Sequence, residues 1–137
     1  MTVEAAYEWR GTFVNEEVAT LHAEAFATRA YPSEEWDWRT LVTRHSLGWV
    51  TAREEGDLIG FVNVLWDGLV HAWIQDTMVA AQARRQRIGA QLVAVARRGA
   101  AAAGCEWLHV DFPDDLVDFY VRTCGFTPTN AGLIALR

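Results

Sequence analysis

The order of strand-like and helix-like patterns along the chain predicts an α/β domain built on a mixed sheet. Short apolar runs separated by Gly-containing turns occupy the middle of the 137 residues, as expected for hairpins. Apolar runs then alternate with helical patterns, as expected for crossover connections. With 51% apolar residues and no linker or repeat, the chain is expected to form a single domain over residues 1–137.

One strand and two helices are predicted in the N-terminal part. Alternation indicates a strand over residues 3–9. Asn15 is typical of a helix N-cap, and Tyr31-Pro32 ends this first helix. Ser33 is predicted to cap the second helix. The candidate inward residues of the two helices are Val18, Leu21, Ala25 and Phe26, then Trp36, Leu41 and Val42.

The remainder is predicted to hold three consecutive strands and then alternating elements. The run at 58–66 is nearly all apolar, which is typical of a strand covered on both faces. The clearest helix covers 88–103 and ends before Gly104. The other strands are predicted at 47–53, 71–79, 106–112 and 134–136, with a short helix at 114–123.

Charge and composition exclude several classes of protein. A net charge of −6 disfavours nucleic-acid binding, because the phosphate backbone is anionic. No apolar run reaches the ~20 residues of a membrane span, and the first ten residues do not resemble a signal peptide. A cytoplasmic location is therefore expected. Cys105 and Cys124 lie far apart and the four histidines are dispersed, so no metal site is expected.

The segment from Met78 to Leu92 carries the strongest chemical signal. It contains a strand end, a loop with Arg84, Arg85 and Arg87, and the start of the long helix. The first amides of a helix lack internal partners, and with the helix dipole they form an anion site suited to a pyrophosphate. Gly89 leaves space for a ligand to approach the backbone. The alternative is an ordinary basic helix start with a glycine packed against the sheet.

Two motifs resemble the GNAT N-acetyltransferase superfamily. Arg84-x-x-Arg87-Ile88-Gly89-Ala90 is similar to its acetyl-CoA loop, and residues 118–126 are similar to its Phe-Tyr-x-x-x-Gly-Phe segment. This resemblance implies a mixed sheet of about six to seven strands flanked by about four helices. Pro113 replaces an asparagine that often binds pantetheine. Few residues follow Gly125, so the last strand is expected to be short or supplied by a partner in a homodimer.

The resemblance also implies roles for individual residues, with acetyl-CoA as co-substrate. Met78 and Val79 are expected to pair with the pantetheine arm. Tyr120 is expected to protonate the leaving thiolate; a packed structural tyrosine is the alternative. Arg87 stands where the family usually has glycine, and its amide can bind phosphate if its φ is not positive. The residues expected to hold the pyrophosphate are Arg84, Arg85, Gln86, Arg87, Ile88, Gly89 and Ala90.

Asp76 is the candidate base that starts the proton path from the amine. A carboxylate inside an apolar strand is unusual because burial of charge is costly. Asp111, which shares one strand face with Trp107 and His109, is the rival. A structural aspartate bonded to backbone or arginine remains the alternative for Asp76.

The acceptor is expected to be a small molecule carrying a cationic primary amine. Glu34, Glu35, Trp36 and Asp37 combine acids with an indole, which suits recognition of an ammonium group. The alternative for this segment is an acidic helix start with its tryptophans in the core. The alternative functions are a peptide or protein N-acetyltransferase and a non-catalytic acetyl-CoA sensor.

Overall fold

A single five-stranded mixed sheet forms the centre of the computed structural model, which describes residues 4–84 and 87–137. The strands are neighbours in chain order, and β5 is parallel to β4 whereas the others are antiparallel. Their bounds are Ala6–Trp9 (β1), Ser46–Glu54 (β2), Asp57–Trp66 (β3), His71–Val79 (β4) and Trp107–Val110 (β5).

Helices cover both faces of the sheet. The α-helices are Asn15–Phe26 (α1), Trp38–His45 (α2) and Ile88–Ala102 (α3). Gly60 of β3 lies against Ile88 and Leu92 of α3, whereas its neighbour Phe61 packs on Trp38 of α2. Since successive strand residues point to opposite faces, α3 lies on one side and α2, with α1, lies on the other. The shorter helical segments are Ala81–Ala83, Asp114–Leu116 and the π-helix Asp118–Thr123.

The core lies between the sheet and these helices. Trp38, Phe61 and Leu92 are among its fully buried side chains. The indole of Trp9 packs between β2 and α3, where a Cβ on Gly99 would lie 2.5 Å from the ring. A larger residue at Gly99 would therefore push α3 away from the sheet.

The predicted sixth and seventh strands are absent from the described residues, which form only five. The segment predicted as a strand at 134–136 has no regular structure, and Ile134 and Leu136 are 83% and 92% exposed. Among the described residues these side chains have no sheet neighbour to cover them. The expected strand at 106–112 is reduced to Trp107–Val110 because its pairing with β4 ends there.

The second helix begins four residues later than predicted, because its N-cap is Asp37 rather than Ser33. Asp37 is the actual N-cap, since its carboxylate accepts hydrogen bonds from the Thr40 backbone N–H (3.1 Å) and the Thr40 hydroxyl (2.8 Å). The preceding residues form a turn in which the Glu35 N–H donates to the Pro32 carbonyl at 2.9 Å. Trp36 consequently lies outside the helix and is 40% exposed rather than directed into the core.

No helix among residues 4–84 and 87–137 is long and apolar enough to cross a membrane.

Candidate active site

A β-bulge in β4 opens the candidate site. Asn63 of β3 pairs with Gln75 and Phe61 pairs with Met78, so the single residue between them on β3 faces both Asp76 and Thr77. Asp76 adopts a left-handed conformation with φ of 58°. An extra residue bends the bulged strand and re-aims its side chains.

The strands β4 and β5 separate beside this bulge. Their parallel pairing ends at Ile74 and Val110, although β4 continues to Val79. The last part of β4 therefore has a free edge, and a cavity of about 530 Å³ lies next to it. The cavity is lined by Ala25, Thr77, Val79, Arg84, Arg87, Gly89, Ala90, Leu116, Phe119, Tyr120 and Thr123.

Backbone direction distinguishes the residues of this free edge. The Ala80 N–H donates to the Ile59 carbonyl at 2.8 Å, so in an antiparallel ladder Met78 also directs its backbone to β3. Thr77 and Val79 direct their backbone groups away from β3, into the gap between β4 and β5. The backbone of Val79 thus faces the gap, where the pantetheine arm is expected, whereas the backbone of Met78 faces β3 and its side chain is fully buried. Sequence reasoning missed Thr77, although the alternation of the strand would have indicated it.

The loop before α3 is held in place by arginine and glutamate side chains. Arg84 Nε donates to the Val79 carbonyl at 3.2 Å and its Nη2 donates to the Glu24 carbonyl at 3.4 Å. The Ala81 N–H donates to Glu24 Oε1 at 2.6 Å. Arg84 therefore fixes the loop against β4 and α1 as well as adding charge to the cavity. Arg85 and Gln86, predicted to bind pyrophosphate, lie outside the described residues.

The N-terminus of α3 faces the cavity. Ala90 lines it, whereas Ile88 is buried beneath the helix and can contribute only its backbone. Gly89 also lines the cavity, and a Cβ there would lie 3.1 Å from the Phe119 ring. A side chain at Gly89 would therefore crowd the Phe119 ring as well as the cavity.

The amide of Arg87 is expected to be able to bind phosphate only if the φ of this residue is not positive, and in the structure its φ is +63°. This is the left-handed conformation that a glycine adopts without strain and an L-residue adopts at a cost. The family's preference for glycine at this position therefore has a direct conformational reason. The exposed side chain of Arg87 still lines the cavity and adds positive charge.

Tyr120 is placed between the cavity and the free edge of β4. Its ring is 6% exposed and stacks on Phe112 with centroids 5.1 Å apart. Its hydroxyl donates to Thr77 Oγ1 at 3.2 Å. Burial raises the pKa of Tyr120 above its usual range, while the Thr77 hydrogen bond opposes this. The hydroxyl is therefore protonated at neutral pH and can donate to a group in the cavity.

Asp76 is a partly buried carboxylate beside α1. Burial raises the pKa of Asp76 above its usual range, and the nearby charge of His22 offsets this in part. No hydrogen bond or ion pair of the Asp76 side chain is found among the described residues. Asp111 is exposed beyond the end of β5, and neither Asp111 nor Asp76 lines the cavity, so Asp76 stays the candidate base only on its partial burial beside α1.

Two of the three acids in the predicted acceptor segment make structural contacts. Glu35 forms an ion pair with Arg29 at 2.6 Å. Asp37 caps α2, and its hydrogen bonds from Asn15 and Thr40 lower the pKa of Asp37 to about 2. Glu34 is exposed. The Arg29 guanidinium compensates the charge of Glu35, whereas Asp37 stays ionised because its partners are neutral, so the acidic field of this segment is reduced by the charge of Glu35 alone.

The aromatic residues of the same region form a ladder, which we define as Tyr31, Trp36 and Trp38. Tyr31 and Trp36 have centroids 5.4 Å apart, and Trp36 stacks on Trp38 at 5.7 Å. The Arg29 guanidinium lies 4.5 Å above the Tyr31 ring, so a cation already occupies the Tyr31 end of the aromatic ladder. Trp38 is buried and Trp36 is 40% exposed, which leaves an aromatic surface open near α1.

This arrangement can bind an extended anionic ligand with a reactive end. The N-terminus of α3 and nearby arginines suit phosphates, the free edge of β4 offers backbone groups, and Tyr120 offers a proton. The sequence model of the acetyltransferase (GNAT) family matches residues 7–126, and the chain belongs to this family.

Solved structures share the fold over nearly the whole chain. A GNAT-family acetyltransferase from Streptococcus pneumoniae is 21% identical, with a TM-score of 0.73 over 97% of this chain and 99% of that chain. An aminoglycoside N-acetyltransferase solved with coenzyme A is 15% identical, with a TM-score of 0.78 over 100% and 97%. Glucosamine-6-phosphate N-acetyltransferase from Arabidopsis thaliana is 15% identical, with a TM-score of 0.73 over 95% and 97%. No curated protein sequence gave a significant match.

Proposed function

We propose that the protein transfers the acetyl group of acetyl-CoA directly to a primary amine of a small cationic molecule. The observation that carries this proposal is the continuous cavity from the N-terminus of α3, along the free edge of β4, to the Tyr120 hydroxyl. Membership of the acetyltransferase family supports the acetyl donor.

The pyrophosphate is proposed to bind at the start of α3, where unpaired amides and the helix dipole favour anions. Arg84 and Arg87 supply positive charge at that end of the cavity. The Val79 N–H and the backbone groups of Thr77 are free to pair with the amides of the pantetheine arm, whereas the Val79 carbonyl already accepts from Arg84. Gly89 allows α3 to approach Phe119 and the ligand together.

The chemistry then requires three groups. The amine must lose a proton before it attacks the thioester carbonyl, and Asp76 lies on the side of the bulge that faces α1. Free backbone N–H groups of β4 can stabilise the tetrahedral oxyanion. As the C–S bond breaks, Tyr120 gives its proton to the thiolate sulfur. Until then the hydrogen bond from Tyr120 to Thr77 holds the phenol in place, and the Tyr120 O–H must turn from Thr77 Oγ1 to the sulfur to deliver its single proton.

A cationic acceptor is supported by the net charge of −6 and by the partly exposed ring of Trp36. A negative field raises the local concentration of cations, and an aromatic face attracts an ammonium by about 0.5–2 kcal/mol. Because Glu35 and Asp37 already have partners, we propose that Trp36 and Glu34 are the residues of this segment that contact the acceptor.

The test is release of free thiol from acetyl-CoA with a panel of amines at two salt concentrations. Small polycationic amines should be used faster than neutral or anionic amines, and the apparent KM of the best amine should rise with salt. Glu34→Gln should raise this KM further, whereas Glu16→Gln, an exchange in the first turn of α1, serves as the charge-matched control. Absence of amine-dependent thiol release across the panel would refute the proposed function.

A further inference from the structure

The bulge in β4 decides which face of the sheet Thr77 points to. Met78 pairs with Phe61, whose ring packs on α2 rather than α3, so Thr77 beside it points to the α3 face. Gln75 pairs with Asn63, which shares the α2 face with Phe61. Without the extra residue of the bulge, simple alternation from Gln75 would turn Thr77 to the α2 face as well. The bulge therefore brings the Thr77 side chain into the cavity.

In the cavity, the Thr77 hydroxyl contacts the phenol of Tyr120. The Tyr120 hydroxyl donates to Thr77 Oγ1 at 3.2 Å, and both residues line the cavity. Among residues 4–84 and 87–137 no other hydrogen-bonding partner of the Tyr120 hydroxyl is found. The proton that Tyr120 gives to the sulfur in the proposed reaction is thus the proton that it directs to Thr77 before turnover.

The surroundings of Tyr120 oppose the negative charge that remains once this proton has left. Three aromatic rings have centroids 4.8, 5.1 and 5.9 Å from that of the phenol, and they belong to Phe119, Phe112 and Phe126. Burial raises the pKa of Tyr120, the hydrogen bond with Thr77 lowers it, and Cys124 raises it further. Apolar rings do not solvate an anion, so a phenolate here needs a hydrogen-bond donor beside its oxygen.

We propose that Thr77 changes from hydrogen-bond acceptor to hydrogen-bond donor during the reaction and thereby stabilises the phenolate that Tyr120 becomes. This inference rests on the proposed function and adds to it a positioning residue that acts through Tyr120. A threonine hydroxyl has one donor proton and two acceptor lone pairs, and its proton rotates, so it can take both roles from one position. A hydrogen bond to an ionised oxygen is stronger than one between neutral groups, so the contact strengthens as the proton leaves. An interaction that strengthens in this way lowers the barrier.

The bonds and protons balance in this sequence. The neutral amine forms the C–N bond to the thioester carbonyl. The C–S bond then breaks as the Tyr120 O–H, turned away from Thr77, gives its proton to the sulfur. The Thr77 O–H turns towards the oxygen that has kept the electron pair. The amine nitrogen loses a proton as the amide forms, and this proton restores the Tyr120 hydroxyl through solvent in the cavity.

Thr77→Val tests the proposal, because it removes the hydroxyl and keeps the shape of the side chain. It should lower the single-turnover rate of thiol release at saturating amine by about 10–10²-fold, as expected for a hydrogen bond to a charged group. Coenzyme A affinity and the KM for the amine should change by less than about twofold, because the contact strengthens only during the reaction. Thr77→Ser keeps a hydroxyl at this position and should recover most of the rate.

A double-mutant cycle with Tyr120→Phe shows whether Thr77 acts through the phenol. The variant that carries both Tyr120→Phe and Thr77→Val should be as fast as Tyr120→Phe alone, because no phenolate remains for Thr77 to stabilise. Losses that multiply in the double variant would give Thr77 an independent role and overturn the inference.

A second threonine–tyrosine pair supplies the matched control. The Thr28 hydroxyl lies 3.2 Å from the Tyr31 hydroxyl, and the two residues lie outside the cavity lining. Thr28→Val should therefore leave the single-turnover rate at saturating amine unchanged. If Thr77→Val does not fold, Thr77→Ala makes the same comparison. An unchanged rate in the folded variant without the hydroxyl would overturn the inference and leave the proposed function standing, whereas absence of amine-dependent thiol release in the unmodified protein would refute both.

Discussion

Replacement of Arg87 by glycine should stabilise the protein, although it removes a side chain that lines the cavity. The backbone of Arg87 has φ of 63° and ψ of 19° at the start of α3. A left-handed conformation costs a non-glycine residue about 1–2 kcal/mol. Glycine loses about 0.5–1 kcal/mol through its greater freedom in the unfolded chain. The expected net gain is therefore about 0.5–1 kcal/mol in the free energy of unfolding.

Arg87→Ala is the matched control, because it removes the same charge and retains the strained conformation. A cation at a helix N-terminus is unfavourable by about 0.3–1 kcal/mol, and both variants relieve this equally. The difference between glycine and alanine thus isolates the backbone effect. Urea unfolding of both variants measures this difference in free energy directly, and thermal unfolding should show a Tm about 2–5 °C higher for glycine than for alanine. If Arg87→Gly were no more stable than Arg87→Ala, the conformational explanation of this position would be refuted.

Three further outcomes are expected. Tyr120→Phe should lower kcat by about 10²–10⁴-fold in single-turnover thiol release, and a loss below severalfold with chemistry limiting would make Tyr120 structural. Asp76→Asn should raise Tm at neutral pH, because burial raises the pKa of Asp76 and so penalises its ionised form. This gain in Tm should vanish as the pH falls through the folded-state pKa of Asp76, and an equal gain at low pH would contradict the explanation. Asp37→Asn should destabilise α2 at pH 7, because hydrogen bonds to the Asp37 carboxylate lower the pKa of Asp37 to about 2. The unmodified protein should lose the stability that this carboxylate contributes as pH falls from about 4 towards 2, and a Tm difference between the two proteins that does not change with pH would refute the prediction.

Elements whose limits depend on local sequence could be predicted. The strand at His71–Val79 and the start of α3 at Ile88 agree with the predictions, because alternation and the loop motif mark them. Ser33 and Asp37 are both good N-cap residues, so local preference could not choose between them. Pro32 closes a turn ahead of the helix, and the hydrogen bonds from Asn15 and Thr40 favour Asp37.

The features that shape the site arise from pairing between distant segments. The bulge at Asp76 is a matter of register between β3 and β4, which the apolar pattern of β4 alone does not encode. The contacts of His22 with Trp36 and Trp38 likewise arise only when α1 packs against the start of α2. The strain at Arg87 could have been inferred from the family's glycine at that position.

The most direct test of the account is a crystal structure with coenzyme A bound. The account predicts the pyrophosphate at the N-terminus of α3, within reach of the Gly89 amide, the pantetheine along Thr77 and Val79, and the thiol sulfur within hydrogen-bonding distance of the Tyr120 hydroxyl. Coenzyme A bound outside the cavity between β4 and α3, or a thiol directed away from Tyr120, would contradict it.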